Sequence, residues 1–270
     1  MKISNILSRQ NRILLRELVI TDFKLRYQGS ALGVLWSVLK PLFLFAILYV
    51  VFDHFLKLGR NIDHFPVYLL LGIVLWGFFT EATVQGLQSI VSRGDLIRKI
   101  NFPKYIIVIS STVSAFINLG INLLVVLAFV LFNGVDLHWH AVFAIPLIIE
   151  LYILALAIAF LLSSVNVKFR DVGYLWEIFL QAAFYATPII YPLQMVIEQS
   201  EWAAKILLLN PVAQVIQDMR YVLVTDQTIT LWSFVAEGWK QAIPFMIILV
   251  ISILAVIYFK KNSKMFAEQL

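Results

Sequence analysis

Long apolar stretches alternate with short polar segments along almost the whole chain. A helix that crosses the hydrocarbon core of a bilayer needs roughly 20 mainly apolar residues. Six stretches meet this requirement: residues 31–55, 66–91, 105–132, 141–165, 172–191 and 242–259. We therefore predict an all-α membrane protein with six transmembrane helices, in which residues 1–270 form a single transmembrane domain.

Residues 1–30 carry a different pattern, because charged residues recur among the apolar ones. At about 100° per residue, four leucines fall on one helical face and three arginines fall opposite: Leu7, Leu14, Leu18 and Leu25 against Arg9, Arg12 and Arg16. We expect an interfacial helix that lies along the membrane surface with its cationic side toward the lipid headgroups. The alternative is a helix packed against a partner.

A helix break follows the fifth span. Proline lacks a backbone N–H and disfavours helix at the preceding residue, so the run from Thr187 to Pro192 should stop the helix. Residues 202–209 and 212–224 then predict two helices that are too short to cross a bilayer. We expect residues 192–241 to dip from the outer face as a re-entrant gate; an interfacial amphipathic segment is the alternative. The candidate gate residues lie at the breaks: Pro188, Tyr191, Pro192, Asn210 and Pro211.

The composition narrows the possible functions. With 61% apolar and 14% charged residues and a mean hydropathy of +0.88, the chain differs from soluble domains, which are about half apolar and a quarter charged. The sequence has no cysteine, which removes disulfides, thiolate metal sites and thiol nucleophiles. Its four histidines lack metal-site spacing, and no nucleotide-binding motif occurs. We predict no catalytic residue, cofactor site or metal site on this chain.

Lysine and arginine are distributed unequally between the predicted loops. Sixteen of the 21 fall on the side that holds both termini, and five fall on the other. Cytoplasmic loops carry the excess of these residues, so we expect both termini, including the tail 260–270, in the cytoplasm. The formal net charge of +5 then reflects orientation and attraction to anionic lipids, and nucleic acid is not an expected partner.

Acidic residues inside the predicted spans require an explanation, because charge is costly in lipid. Glu81 lies midway along the second span and Glu150 lies in the first half of the fourth. They could form hydrogen bonds in helix packing, which we favour, or relay protons. No basic residue is predicted at comparable depth, unless Lys40 reaches it.

Four further side chains are candidates for lining a channel. Asn118 and Asn122 share one face of the third span, where they could line a pore or bond a neighbouring helix. Tyr174 and Tyr185 could stack on sugar rings, or they could belong to the aromatic belt that membrane proteins carry at the interface. Packing and belt roles are the simpler interpretations.

Five motifs, in matching order along the chain, resemble the permease subunits of polysaccharide-exporting ABC transporters of the Wzm-like family. They are Arg26 to Trp36 leading to Lys40-Pro41, Ile97 to Pro103, Asn166 to Asp171, Thr187-Pro188 with Tyr191-Pro192, and Leu209 to Pro211. Members of this family export O-antigen, and their relatives export teichoic acid and capsule. The resemblance implies a multi-pass protein of the bacterial plasma (inner) membrane.

The resemblance also implies partners. It suggests a homodimer of this chain with a channel between the copies, two cytoplasmic ATPase subunits that bind ATP and Mg²⁺, and a lipid-linked glycan as cargo. The short charged segments 92–104 and 166–171 would transmit ATP-driven motion, although they could simply anchor the orientation. The coupling candidates are Arg93, Arg98, Lys99, Phe169, Arg170 and Asp171.

Two other functions remain open from the sequence. A drug or small-molecule exporter would use the same architecture. An ion-coupled secondary carrier would depend on Glu81 or Glu150 and would follow an ion gradient. An intramembrane enzyme would need a nucleophile or a metal constellation, which the sequence does not offer.

Overall fold

The computed structural model describes residues 9–57, 59 and 62–270, and their regular secondary structure is helical. The helices are, in chain order, α1 (Arg9–Tyr27), α2 (Leu35–Tyr49), α3 (Phe65–Ser92), α4 (Gly94–Lys99), α5 (Tyr105–Phe132), α6 (Ala144–Lys168), α7 (Val172–Ala186), α8 (Leu193–Gln199), α9 (Glu201–Leu209), α10 (Pro211–Leu223), α11 (Leu231–Phe234), α12 (Gly238–Gln241), α13 (Ile243–Asn262) and α14 (Phe266–Gln269). A π-helical turn, Val50–Phe55, extends α2, and a 3₁₀ turn, Trp139–Phe143, precedes α6.

Five helical stretches of the described residues are long and apolar enough to cross a membrane, so the all-α membrane class is confirmed. They are Leu35–Phe55, Phe65–Ser92, Tyr105–Phe132, Trp139–Lys168 and Gly238–Asn262. The remaining predicted span, 172–191, contains only the 15-residue helix α7, about 22 Å long against a core of about 30 Å. Its helix ends because Thr187, ahead of a proline, is extended (ψ 139°). The count of six spans stays a prediction.

Helix α3 forms the centre of the bundle. In the most apolar stretch of α3, 78% of the residues are buried inside the protein. The corresponding share for the span that contains α2 is 6%. Helix α3 packs against α2, α5, α6, α7 and α10. The contact with α6 is close because Gly86 faces Ala159: a Cβ added at Gly86 would collide with the Ala159 Cβ. Following the predicted orientation, we call the Phe65 end of α3 its outer end and the Ser92 end its inner end.

Helix α1 packs across the inner part of the bundle, mainly on α5. Leu14 and Leu18 contact the inner cluster, a group of buried residues from several helices: Ile90, Ile97, Tyr105, Ile106, Ile107, Val108, Ala159, Val167, Phe259 and Phe266. Leu25, on the same helical face, is 62% exposed and lies beyond this cluster. Leu7 lies outside the described residues.

The segment after α7 contains the two predicted short helices, α9 and α10, separated at Asn210. Every residue from Pro211 to Arg220 is buried, and α10 packs against α3, α6 and α13. An interfacial amphipathic helix would leave one face exposed, so this burial favours insertion among the spans. The re-entrant position relative to a membrane stays a prediction.

Candidate coupling surface and outer gate

The predicted coupling residues lie at the inner ends of α3, α6 and α7. Five of the six are exposed at the surface: Arg98, Lys99, Phe169, Arg170 and Asp171. Segment α4 follows α3 after the single residue Arg93, and the Asn166 side chain near the end of α6 donates to the Leu87 carbonyl at 3.1 Å. Both coupling segments are therefore attached to the same helix, α3.

Arg93 differs from the other coupling candidates because it is half-buried and already bonded within the chain. Its guanidinium forms an ion pair with Asp22 of α1 and donates to the Ser110 hydroxyl of α5 at 3.0 Å. Burial lowers the pKa of the Arg93 guanidinium. Arg93 thus connects α1, α3 and α5, and its role in coupling stays a prediction.

Glu81 is a junction between α1, α3 and α5. Its Oε1 forms an ion pair with Arg26 and accepts hydrogen bonds from Asn118 Nδ2 at 2.7 Å and Gln85 Nε2 at 2.9 Å. The prediction that no basic residue reaches the depth of Glu81 is wrong. Hydropathy assigns Arg26 to the segment before the first span, and only the packing of α1 brings it to Glu81.

The four channel candidates do not share one surface. Asn118 is 3% exposed beside Glu81, and Asn122 donates to the Ser37 carbonyl at 3.2 Å, so both lie in helix contacts. Tyr174 and Tyr185, by contrast, are 73% and 61% exposed on α7. Only the tyrosines lie where a glycan or a second copy of the chain could reach them, and their role in a channel stays a prediction.

The predicted gate residues hold the turns between helices. Tyr191 donates from its hydroxyl to the Tyr185 carbonyl at 3.1 Å and to the Ala186 carbonyl at 3.3 Å, which satisfies acceptors at the end of α7. Asn210 caps α10, since its Oδ1 accepts from the Val212 N–H at 3.0 Å. Pro211 occupies the first turn of α10, where the missing N–H costs nothing, and Pro192 precedes α8.

Sequence reasoning missed Arg220, which is the central residue of this region. It is fully buried, and its guanidinium donates to three backbone carbonyls: those of Tyr68 at 3.1 Å, Pro188 at 2.6 Å and Ile189 at 2.7 Å. Its Cζ also lies 3.6 Å from the centre of the Tyr68 ring. One side chain therefore joins α10, the outer end of α3 and the turn after α7.

The Arg220 guanidinium fits against α3 because residue 72 is a glycine. A Cβ added at Gly72 would lie 2.6 Å from Arg220 Nη2. The charge count assigns Arg220 to an outer loop, and a lone arginine in a short helix gives no further signal. The position of Arg220 could be predicted only by considering three features together. These are a buried cation, a glycine on the neighbouring helix and a turn whose carbonyls lack other donors.

Glu150 lies apart from Glu81, on α6 near α10. On α10, Gln214 Nε2 donates to Asp218 Oδ2 at 2.6 Å, and Trp232 Nε1 donates to the same oxygen at 3.2 Å. Asp218, an acidic residue of the gate segment, lies close enough to Glu150 for the two carboxylates to interact electrostatically. The structure therefore places Glu81 and Glu150 in two separate polar clusters.

Comparison with known proteins identifies the class of protein that this fold and these segments define. The model of the ABC-2 type transporter membrane family matches residues 13–224. The chain belongs to this family.

Individual relatives are similar over most of their length. An O-antigen export system permease protein RfbA of Myxococcus xanthus is 33% identical over 204 residues, which cover 75% of this chain and 76% of the relative. Two proteins of the same name from Klebsiella pneumoniae are 30% and 29% identical over 200 residues, or 74% of this chain and 75% of each relative.

Proposed function

We propose that this chain is the transmembrane subunit of an ATP-driven exporter that moves a lipid-linked polysaccharide of the O-antigen type out of the cytoplasm. Two copies would enclose the conduit, and two ATPase subunits would bind the inner surface. Family membership and relatives named as O-antigen export permeases support the proposal. Those names also favour glycan over a drug as cargo.

One structural observation carries the mechanism: α3 connects the coupling segments with the gate. Its 28 residues span about 42 Å. Leu87, near its inner end, accepts from Asn166, and Tyr68, near its outer end, accepts from Arg220. A displacement of the coupling segments is therefore delivered through one continuous helix to the gate turn.

ATP binding on the partner would shift the equilibrium of this unit only through contacts that differ between nucleotide states. The exposed residues Arg98, Phe169 and Arg170 are available for such contacts. The buried Asn166–Leu87 hydrogen bond would then carry the movement into α3. The gate would open when the outer end of α3 moves together with the turn that Arg220 holds.

Glu81 provides no separate support for ion coupling. Its carboxylate already has a cationic partner, Arg26, and two amide donors, which account for its presence within a span. Export by an ATP-driven unit would continue when ion gradients are collapsed and ATP is maintained.

Controlled depletion of this chain in its host tests the proposal. We expect surface glycan to disappear while its lipid-linked precursor accumulates on the cytoplasmic side, and re-expression of the chain should reverse both changes. Unchanged surface glycan after complete depletion would refute the assignment of the cargo.

A further inference from the structure

We propose that α14 is a third coupling element, which fixes α4 and the inner end of α6 as one rigid unit beneath α3. The inference rests on the proposed function, because the unit is useful only if a cytoplasmic partner acts on it. The matched family region ends at residue 224 and does not include α14.

Phe266 anchors α14 in the inner cluster. Its side chain is fully buried, and its ring centre lies 5.5 Å from that of Phe259 in an edge-to-face arrangement. The same cluster contains Ile97 of α4 and Val167 of α6, one from each coupling segment. Phe266 therefore shares one buried cluster with both of the elements on which a partner would act.

A second contact joins α14 to α4 directly. Gly94, the first residue of α4, is buried, and a Cβ added there would lie 3.5 Å from the Leu270 Cβ. Helix α14 contacts both α4 and α6. Because α4 has only six residues, it cannot be stable as an isolated helix, and its position depends on what it packs against.

These contacts determine where the exposed side of α4 lies. The exposed Arg98 and Lys99 lie in the last turn of α4, so their location is set by the buried side of that helix. That buried side rests on Phe266 and Leu270. Loss of the anchor should release α4 from α6 while α3 and the other spans keep their packing.

The first test is Phe266→Ala in the full chain, purified together with its ATPase. We expect about a tenfold fall in glycan exported per ATP hydrolysed, within the usual range of coupling between sites. The control is Met265→Ala, which changes the neighbouring side chain, itself 40% exposed. A Phe266→Ala complex that couples as well as the unaltered one would overturn the role of α14.

The second test separates positioning from simple destabilisation. The chain has no cysteine, and the 3.5 Å Cβ separation matches the geometry of a disulfide, about 3.5–4.5 Å. The pair Gly94→Cys and Leu270→Cys should therefore form a bond that locks α14 on α4, and the oxidised and reduced forms of this variant should export equally. Added to Phe266→Ala, the same lock should restore coupling, and a reductant should abolish that rescue.

Three results would contradict the inference: no cross-link, a locked chain that exports only after reduction, or a lock that fails to rescue Phe266→Ala. The two proposals fail in different ways. If the unaltered chain retained no ATPase, the proposed function would fall even though the cross-link formed. If the unaltered chain and Phe266→Ala coupled equally, only the role of α14 would fall.

Discussion

The two ends of α3 stabilise arginine side chains in different ways. At the inner half, Arg26 and Arg93 are partly exposed and each pairs with a carboxylate, Glu81 or Asp22. At the outer end, Arg220 is fully buried, and within the described part of the chain its acceptors are backbone carbonyls and the Gln217 amide oxygen.

This difference indicates which end of α3 can change its contacts. Arg93 and Asp22 lie at the inner end of the bundle, where water can replace the lost partner at little cost if the pair separates. A buried guanidinium whose acceptors are backbone carbonyls has no such replacement. We infer that the contacts of α1 can change during a transport cycle, whereas the outer end of α3 and the gate turn move as one piece.

The largest effect is expected from Arg220→Met. The change leaves three buried carbonyls without their donor, and each costs about 1–3 kcal/mol, so the expected loss is about 3 kcal/mol or more. Thermal unfolding in detergent measures it. Arg220→Lys should also destabilise, because a single ammonium cannot reproduce the planar fork.

Met219→Leu is the matched control for Arg220→Met, since Met219 is also fully buried on α10 and the change conserves volume. It should cost less than about 1.5 kcal/mol. Equal losses for the two variants would show that Arg220 contributes only packing.

A smaller effect is expected from Glu81→Gln. It removes the charge that compensates Arg26 but keeps an oxygen that can accept from the two amide donors, so we expect a loss of about 1–3 kcal/mol. The exchange of both charges, Arg26→Glu with Glu81→Arg, should recover part of the loss in a double-mutant cycle. Full additivity of the two single changes would contradict a direct pair.

Charge reversal at Arg170 should act on function without affecting stability. Arg170 is exposed, so Arg170→Glu should lower export severalfold and leave membrane insertion intact. The free energy of unfolding should change by no more than about 0.5 kcal/mol, as is usual for surface changes. The control is Lys24→Glu, an exposed reversal on α1 outside the coupling segments. If both variants exported normally, Arg170 would have no role in coupling.

The smallest effect is expected from Lys205→Ala. Lys205 pairs with Glu201 one turn away on α9; the Glu201 side chain is largely exposed and the Lys205 side chain is partly exposed. Such pairs contribute about 0.3–0.5 kcal/mol, so the thermal midpoint should barely move. A large loss would mean that α9 depends on charge as strongly as the region around Arg220.

The sequence predicts the parts of the fold that depend on local pattern. Span length and hydropathy locate five long helices, and the break at Asn210-Pro211 separates α9 from α10 as expected. Both signals are local, because lipid demands a continuous apolar stretch and proline acts on its own neighbours.

Contacts between distant segments could not be predicted in the same way. Arg26 and Glu81 are 55 positions apart, and Arg220 and Tyr68 are 152 positions apart. Hydropathy scores each charge as a cost without its partner, so it places Arg26 before the first span and Arg220 on the outer side and gives no sign of either contact. The burial of Phe266 could not be predicted from the sequence for the same reason, because it depends on where α4 and α6 meet.

In the proposed mechanism, ATP hydrolysed by a separate subunit drives this chain through its inner surface. The most direct test is to tag the chain in its host, purify it in mild detergent after cross-linking, and identify the retained proteins by mass spectrometry. The account predicts an abundant partner with a P-loop, cross-linked to α4 or to residues near Arg170. Purification without any ATPase would contradict the account, and attention would pass to ion coupling at Glu81 and Glu150.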